Sequence, residues 1–193
     1  MDSSAESTTV AIQVRPYLLQ NEFSLRFSYF PLDQFNHFQA VGATYTRYFN
    51  DYFGWEIPNA SLMKKKSTGL EEFINGKGAV TENFDVMNWS IMTNVIFTPI
   101  YMKSLSFEKN VIWGDLSFVG GYGITSFEKA KSVNTLDFGV LIRYFIYEKW
   151  AVKADLRQYA YLGSGLKPNL EISLGLSFNF SEFDSKAVVE DND

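Results

Sequence analysis

The feature that most constrains this chain is a period of two. In "NLEISLGLSFNF", residues 169–180, Leu170, Ile172, Leu174, Leu176, Phe178 and Phe180 alternate with Glu171, Ser173, Gly175, Ser177 and Asn179. Successive side chains of a strand point to opposite faces, so the segment is expected to be a strand with one apolar and one polar face. The pattern recurs along the chain. "NEFSLRFSYF" sets Phe23, Leu25, Phe27 and Tyr29 against Ser24, Arg26 and Ser28. "FQAVGATYTRYF" sets Val41, Ala43 and Tyr45 against Ala40, Gly42, Thr44 and Thr46. Phe53, Trp55 and Ile57 oppose Gly54 and Glu56, and in "WSIMTNVIFT" Ile91, Val95 and Phe97 oppose Ser90, Asn94 and Thr98. "VIWGDLSFVGGYGI" opposes Ile112, Leu116, Phe118 and Tyr122 to Asp115, Ser117, Gly121 and Gly123. "LDFGVLIRYFIY" opposes Phe138, Val140, Ile142, Tyr144 and Ile146 to Asp137, Gly139 and Arg143. "AVKADLRQYAYL" opposes Val152, Ala154 and Leu156 to Lys153, Asp155, Arg157 and Tyr159. These segments make eight strands, an even number, in simple order.

The connections add a polarity. Asn50-Asp51 and Glu148-Lys149 read as tight turns. Residues 63–83, with "KKKS" and scattered Gly, and residues 125–133 read as longer polar loops. Pro58 tells against a long regular strand after Phe53. The stretch "PIYMKSLSFEK", 99–109, is the exception, long where a tight turn is expected. Tight turns on one rim and long loops on the other are the pattern of an outer-membrane barrel. Composition agrees. Aromatic residues make up 17 % of the chain, with 18 Phe and 11 Tyr, yet the mean hydropathy is only −0.11. No apolar run approaches the ~20 residues of a membrane helix.

Lumen size decides which face points out. The apolar faces hold roughly thirty bulky side chains, and an eight-stranded lumen is only just wide enough to be filled by side chains. It has room for the set rich in Gly, Ser, Thr and Ala, and not for the Phe, Leu, Ile and Tyr set. The apolar face is therefore expected to meet lipid, which in turn demands a closed wall, because backbone groups in hydrocarbon have no water to pair with. The expected fold is all-β: an eight-stranded antiparallel up-and-down transmembrane β-barrel over residues 22–180. A periplasmic segment at 1–21 would precede it, and an acidic, disordered tail at 181–193 would follow.

The same parity sends Arg26, Glu56, Asp115, Arg143, Asp155 and Arg157 into the lumen. Each lies a few residues from the tight-turn end of its strand, so a single belt of three cations and three anions is expected, pairing to fill the lumen and hold the strand register. Trp113 also falls on the inward parity, while Trp55, Trp89 and Trp150 lie near strand ends, where an interfacial aromatic belt would sit. Lys64, Lys65 and Lys66 are candidate contacts for lipid phosphate.

Several classes are disfavoured. Cysteine is absent, which removes disulfides and thiolate metal sites, and the net charge of −5 leaves no basic block suited to nucleic acid. His37 is the single histidine; Asp33 is near it, but no nucleophile stands at a telling spacing, so no catalytic residue, metal site or cofactor is assigned. The start "MDSSAESTTV" lacks the charged and apolar regions of a signal peptide, and the chain is expected to be the mature form of an exported protein.

On these residues the chain resembles the small OmpA/OmpX-type outer-membrane barrels. It more closely resembles the outer-membrane β-barrel domain family of myxobacteria and predatory Gram-negative bacteria. The resemblance runs from about Val10 to Phe180 and rests on "PLDQFNHF", "TPIYMKSLSF", Asp115 in "GDLSF", Gly139 to Phe145 in "GVLIRYF", and "ADLRQYAY". The family usually has Gly after Tyr in the fourth-to-fifth connection; Met102 stands there in this chain. The family carries no common activity. The likeness implies the outer membrane of a Gram-negative bacterium as location, with outer-membrane lipid and the barrel-assembly machinery as partners. A last strand ending in Phe resembles the signal which that machinery recognises, carried by Phe178 and Phe180, although "SEFDSKAVVEDND" follows where the signal usually closes the chain.

The expected function is that of an integral outer-membrane barrel, structural or porin-like, with a side-chain-filled lumen and no enzymatic activity. Small outward residues, Ala43, Gly114, Ala154 and Ala160, would let barrels pack into a homo-oligomeric ring, and with no polar stripe on the outer face such a ring would enclose lipid. The alternatives are a surface adhesin or binding barrel acting through residues 63–83, and a small-solute pore.

Overall fold

A computed structural model describes residues 17, 19–31, 36–67, 86–106, 110–128, 131–163 and 165–180. They form eight strands: β1 (Asn21–Pro31), β2 (Asn36–Tyr48), β3 (Phe53–Ser67), β4 (Met87–Ser106), β5 (Asn110–Phe127), β6 (Ser132–Tyr147), β7 (Trp150–Tyr161) and β8 (Asn169–Asn179). Each pairs antiparallel with its neighbours in sequence, and β8 returns to β1, so the barrel is closed. Along this closing seam Phe23 faces Phe178 and Tyr29 faces Ile172. The strands are strongly staggered, as closure requires. Followed through paired residues from Tyr29 to Ile172, Leu156, Val140, Phe118, Phe97 and Phe53, the wall descends from the upper part of β1 to the tight turn after β2.

The strands run further than their alternation indicates. The wall crosses Pro58: the registers of β3 with both neighbours shift there, between Thr44 and Thr46 on β2 and between Glu56 and Asn59 on β3. Such an irregularity lets a residue without an N–H sit inside a ladder. The run Lys64–Lys66 belongs to β3 rather than to a loop. The supposed long connection at 99–109 is a hairpin. β4 continues to Ser106, β5 begins at Asn110, and Ile100 to Ser106 pair with Leu116 to Asn110. The loop expected at 125–133 shrinks to 128–131 for the same reason, because Phe127 and Ser132 are still in strands. The longer connections therefore leave from the strand ends Ser67 and Met87, and Tyr161 and Asn169, at the rim opposite the tight turns.

The two faces are cleanly separated. The outward set includes Leu25, Val41, Leu62, Val95, Phe138 and Leu174, all more than half exposed. The inward set is buried and mostly polar. Trp113 is inward and buried, whereas Trp55, Trp89 and Trp150 face out. The lumen is layered. At the tight-turn end Trp113, Phe145 and Ala151 pack together, joined by Tyr17, Leu19 and Tyr101. Tyr17 stacks on Phe145 with ring centroids 4.2 Å apart. At the other end Phe30, Phe38, Met87, Met92, Phe127 and Tyr161 belong to a second apolar cluster. The charged residues lie between the two.

Gly139 sits where two strands of the wall approach closely. A Cβ there would lie 2.1 Å from the carbonyl oxygen of Leu156 and 2.7 Å from Cα of Arg157. Gly139→Ala should therefore force β6 from β7 and lower stability by roughly 1–3 kcal/mol, as overpacking does. Urea unfolding of the protein refolded in lipid vesicles measures this, and an unchanged midpoint would contradict the close approach.

Candidate functional site

The strands place ten ionisable side chains in the lumen, each less than a tenth exposed: Glu22, Arg26, Glu56, Asp115, Asp137, Arg143, Lys153, Asp155, Arg157 and Glu171. Charges taken out of water are costly unless they are paired and hydrogen-bonded. The interior pairs these charges in two clusters rather than in one belt, although both oxygens of Asp137 lack a hydrogen bond.

The cluster nearer the tight turns is built on Arg143. Its guanidinium contacts Glu22 and lies 2.9 Å from Asp115, and it donates to the Tyr48 hydroxyl at 2.7 Å. Lys153 Nζ lies 2.8 Å from the other oxygen of Glu22 and donates to Ser24 at 3.3 Å. The rings of Tyr48 and Phe145 flank the guanidinium, with centroids 5.2 and 5.4 Å away. Two cations thus meet two carboxylates, contributed by β1, β5, β6 and β7.

The second cluster is built on Arg157. It holds Glu56 with two nitrogens, at 2.9 and 3.3 Å, and Asp155 at 3.0 Å. Asp137 lies 3.5 Å from the same group. Asn59 and Asn94 each donate to Glu56 at 2.7 Å. Arg26 stands beside this group. It donates to Asn59 and Ser61 and lies 3.6 Å from Glu171, which also accepts from the Tyr159 hydroxyl at 2.7 Å. Four carboxylates here face two guanidinium groups.

The structure thus brings Arg143 to Asp115, and Arg157 to Glu56 and Asp155, while Arg26 meets neither aspartate. The balance of three against three does not hold. Glu22, Asp137, Lys153 and Glu171 join the set, giving six carboxylates and four cations among the described buried side chains. Their parity already placed all four inward. Height failed to assign partners because the stagger moves each strand relative to the last.

Among the described residues, no group of three or more His, Asp or Glu is placed to hold a metal ion. The space at the tight-turn mouth between Tyr17, Tyr101, Asp115 and Phe145 is about 10 Å³, no more than one water needs. His37 lies on the outer face, its Nδ1 2.8 Å from the Tyr29 hydroxyl.

The other candidates lie on the wall. The Phe180 ring is 59 % exposed; its amide donates to the Asn21 carbonyl at 2.9 Å, and its ring meets Phe178 edge-on at 5.1 Å. Alternation splits the lysine run, since a strand cannot present three consecutive residues on one face. Lys64 is exposed on the outer face, Lys65 is half-buried on the other parity, and the side chain of Lys66 lies outside the described residues. Ala43, Gly114, Ala154 and Ala160 all fall on the outward parity but do not form one patch. They sit on β2, β5 and β7, and the Tyr144 ring covers Gly114, within 2.9 Å of where a Cβ would be. Residues 68–83 of the expected 63–83 loop, Leu32 to Phe35 of the family stretch, residues 1–16, and the tail 181–193 lie outside the described residues.

No protein-family model matches the chain, and no curated protein matches its sequence. Solved structures resemble it over most of its length. The N-terminal β-barrel domain of Pseudomonas aeruginosa OprF is 13 % identical with a TM-score of 0.47, the match covering 84 % of this chain and 99 % of that one. Neisserial surface protein A is 11 % identical with a TM-score of 0.44, covering 86 % and 98 %. Ail, the attachment invasion locus protein of Yersinia pestis, is 12 % identical with a TM-score of 0.41, covering 86 % and 100 %. At these identities and TM-scores the matches assign the chain to no family. Nothing in these matches supports the narrower resemblance to the family of predatory bacteria.

Arg157 offers the sharpest test of the interior. Arg157→Ala strands Glu56, Asp155 and Asp137 in a sealed lumen and should cost about 3–5 kcal/mol. Tyr48→Phe removes one acceptor from Arg143, which keeps its carboxylates, and should cost less. Urea midpoints in vesicles rank the two, and an Arg157→Ala midpoint equal to wild type would show that this group carries no such burden.

Proposed function

We propose that the chain is an integral outer-membrane barrel whose lumen is closed and non-conducting, held in lipid by its outer face and serving a structural role. One observation carries this reading. All ten buried charges are enclosed between two apolar clusters, while the wall turns Phe, Leu, Ile, Val and Trp outward. A water-soluble barrel would reverse that arrangement. A porin of larger strand number leaves an aqueous channel, whereas eight strands leave room only for side chains. Each inward charged side chain lies within salt-bridge distance of an opposite charge, which favours a structural interior over an enzymatic one.

In this reading Phe178 and Phe180 form the signal that the barrel-assembly machinery recognises. The half-buried Phe178 and the exposed Phe180 stand at the closing seam, at the end of the last strand to be added. Any homo-oligomeric ring of such barrels would enclose lipid, because the outer face offers no polar stripe for water. A second reading, a surface binder acting through residues 63–83, is favoured by the length of the connection between Ser67 and Met87. Removal of 68–85 separates the readings: a structural barrel keeps its insertion and stability, whereas a binder loses attachment to its target surface.

Reconstitution tests the main reading. The protein should insert into lipid vesicles, migrate differently in SDS before and after boiling, and give no steady ion conductance in a planar bilayer. Steady conductance would make it a pore, and a helical circular dichroism spectrum would end the barrel assignment. In cells, Phe180→Ala should lower the outer-membrane yield more than it lowers refolded stability in vesicles. Equal yields of mutant and wild type would remove the signal from Phe180.

A further inference from the structure

The outer wall is not uniformly bulky. On β2 and β3, Ala43 and Ala60 face each other across the ladder, with Leu25 and Ile91 at their flanks. Two methyl groups in a wall of larger side chains leave a groove of about 380 Å³, bordered by Leu25, Val41, Leu62 and Trp89. Above it, the outward column of β3 continues from Ala60 through Leu62 to Lys64. At ~3.3 Å per residue, Lys64 stands about 13 Å along the strand from the floor of the groove. Gln39 pairs with Lys64 on the neighbouring strand, and His37 and Tyr29 hold each other on the same outer face. The carboxylates carried by the described parts of β1 to β4, Glu22 and Glu56, are buried in the lumen. The outer rim here is therefore cationic above and concave and apolar below.

We propose that this surface binds an anionic phospholipid, with an acyl chain in the Ala43–Ala60 groove and the phosphate at Lys64. The assignment rests on the outer-membrane reading above and adds a specific lipid to it. The groove alone would select little, because an acyl chain is as well solvated by its neighbours as by Leu and Val. Selection comes from the charge. A lysine on a long stem reaches up to the headgroup level while its methylenes stay in the apolar zone. A second copy fits less well. Self-pairing of this face would bring two lysine-bearing strand ends together with no exposed carboxylate among the described residues of β1 to β4.

The test uses the full chain refolded in phosphatidylcholine vesicles that contain a minority of phosphatidylglycerol, then extracted in mild non-ionic detergent and weighed by native mass spectrometry. Wild type should retain one phosphatidylglycerol against the excess of phosphatidylcholine. Lys64→Glu and Ala60→Phe should each weaken retention at least ~10-fold. Val140→Phe, which fills a different groove across the barrel, should leave it unchanged. Retention that survives either Lys64→Glu or Ala60→Phe overturns the site. So does a dimer that Ala60→Phe dissolves, which would give the groove to a second copy. A protein that never becomes heat-modifiable in vesicles defeats the barrel reading itself. An inserted barrel that holds no phosphatidylglycerol defeats only the lipid site.

Discussion

A strand in hydrocarbon has no water to which its amides can turn. The seam between β1 and β8 is therefore the contact on which everything else depends. It joins Glu22–Tyr29 to Ile172–Asn179, and the Phe180 amide extends it to Asn21. Once eight strands close on themselves the circumference is set, and with it the width of the interior. The interior takes only the bulky apolar side chains of a few small clusters, and the rest must face lipid. The alternation along every strand is the imprint of that geometry.

A narrow interior imposes its own chemistry. It is filled by ions and their partners, because small polar residues alone would leave voids. Arg143 and Arg157 reach across the lumen rather than along the wall, tying β6 to β1 and β7 to β3. Apolar clusters at both ends keep water away from these ties and so raise the cost of breaking them. The outer wall does the opposite work. Its variation in bulk, as at Ala43 and Ala60, leaves the groove to which the proposed lipid is assigned.

Much of this was legible in the sequence, and the limits were physical. Parity read the faces correctly from Phe23 to Asn179, including the inward Trp113, since a strand has only two sides. Extents were harder. Pro58 suggested a break because a ladder irregularity is invisible until both partners are known. "PIYMKSLSF" read as a connection because its alternation is mixed, although it is half of the β4–β5 hairpin. Ion partners were not legible at all. Whether Arg26 meets Asp155 or Glu171 depends on the stagger, which emerges only when the barrel closes. The groove has the same origin: Ala43 and Ala60 are unremarkable apart and become a concavity only as cross-strand neighbours.

The span of the lumen contacts along the chain has a consequence for assembly. Glu22 near the start of the barrel meets Arg143 and Lys153, 121 and 131 residues later, and Glu56 waits 101 residues for Arg157. A partial sheet of the first four strands carries two lumen carboxylates, Glu22 and Glu56, against the single buried cation Arg26, and it leaves two open edges in the bilayer. Neither debt is settled until β6 and β7 arrive. Intermediates of this barrel are therefore high in free energy from both edge and interior at once, so folding should be a single cooperative event. The last strands are then the rate-limiting ones, since long-range contacts reward the chain only after its loops have closed.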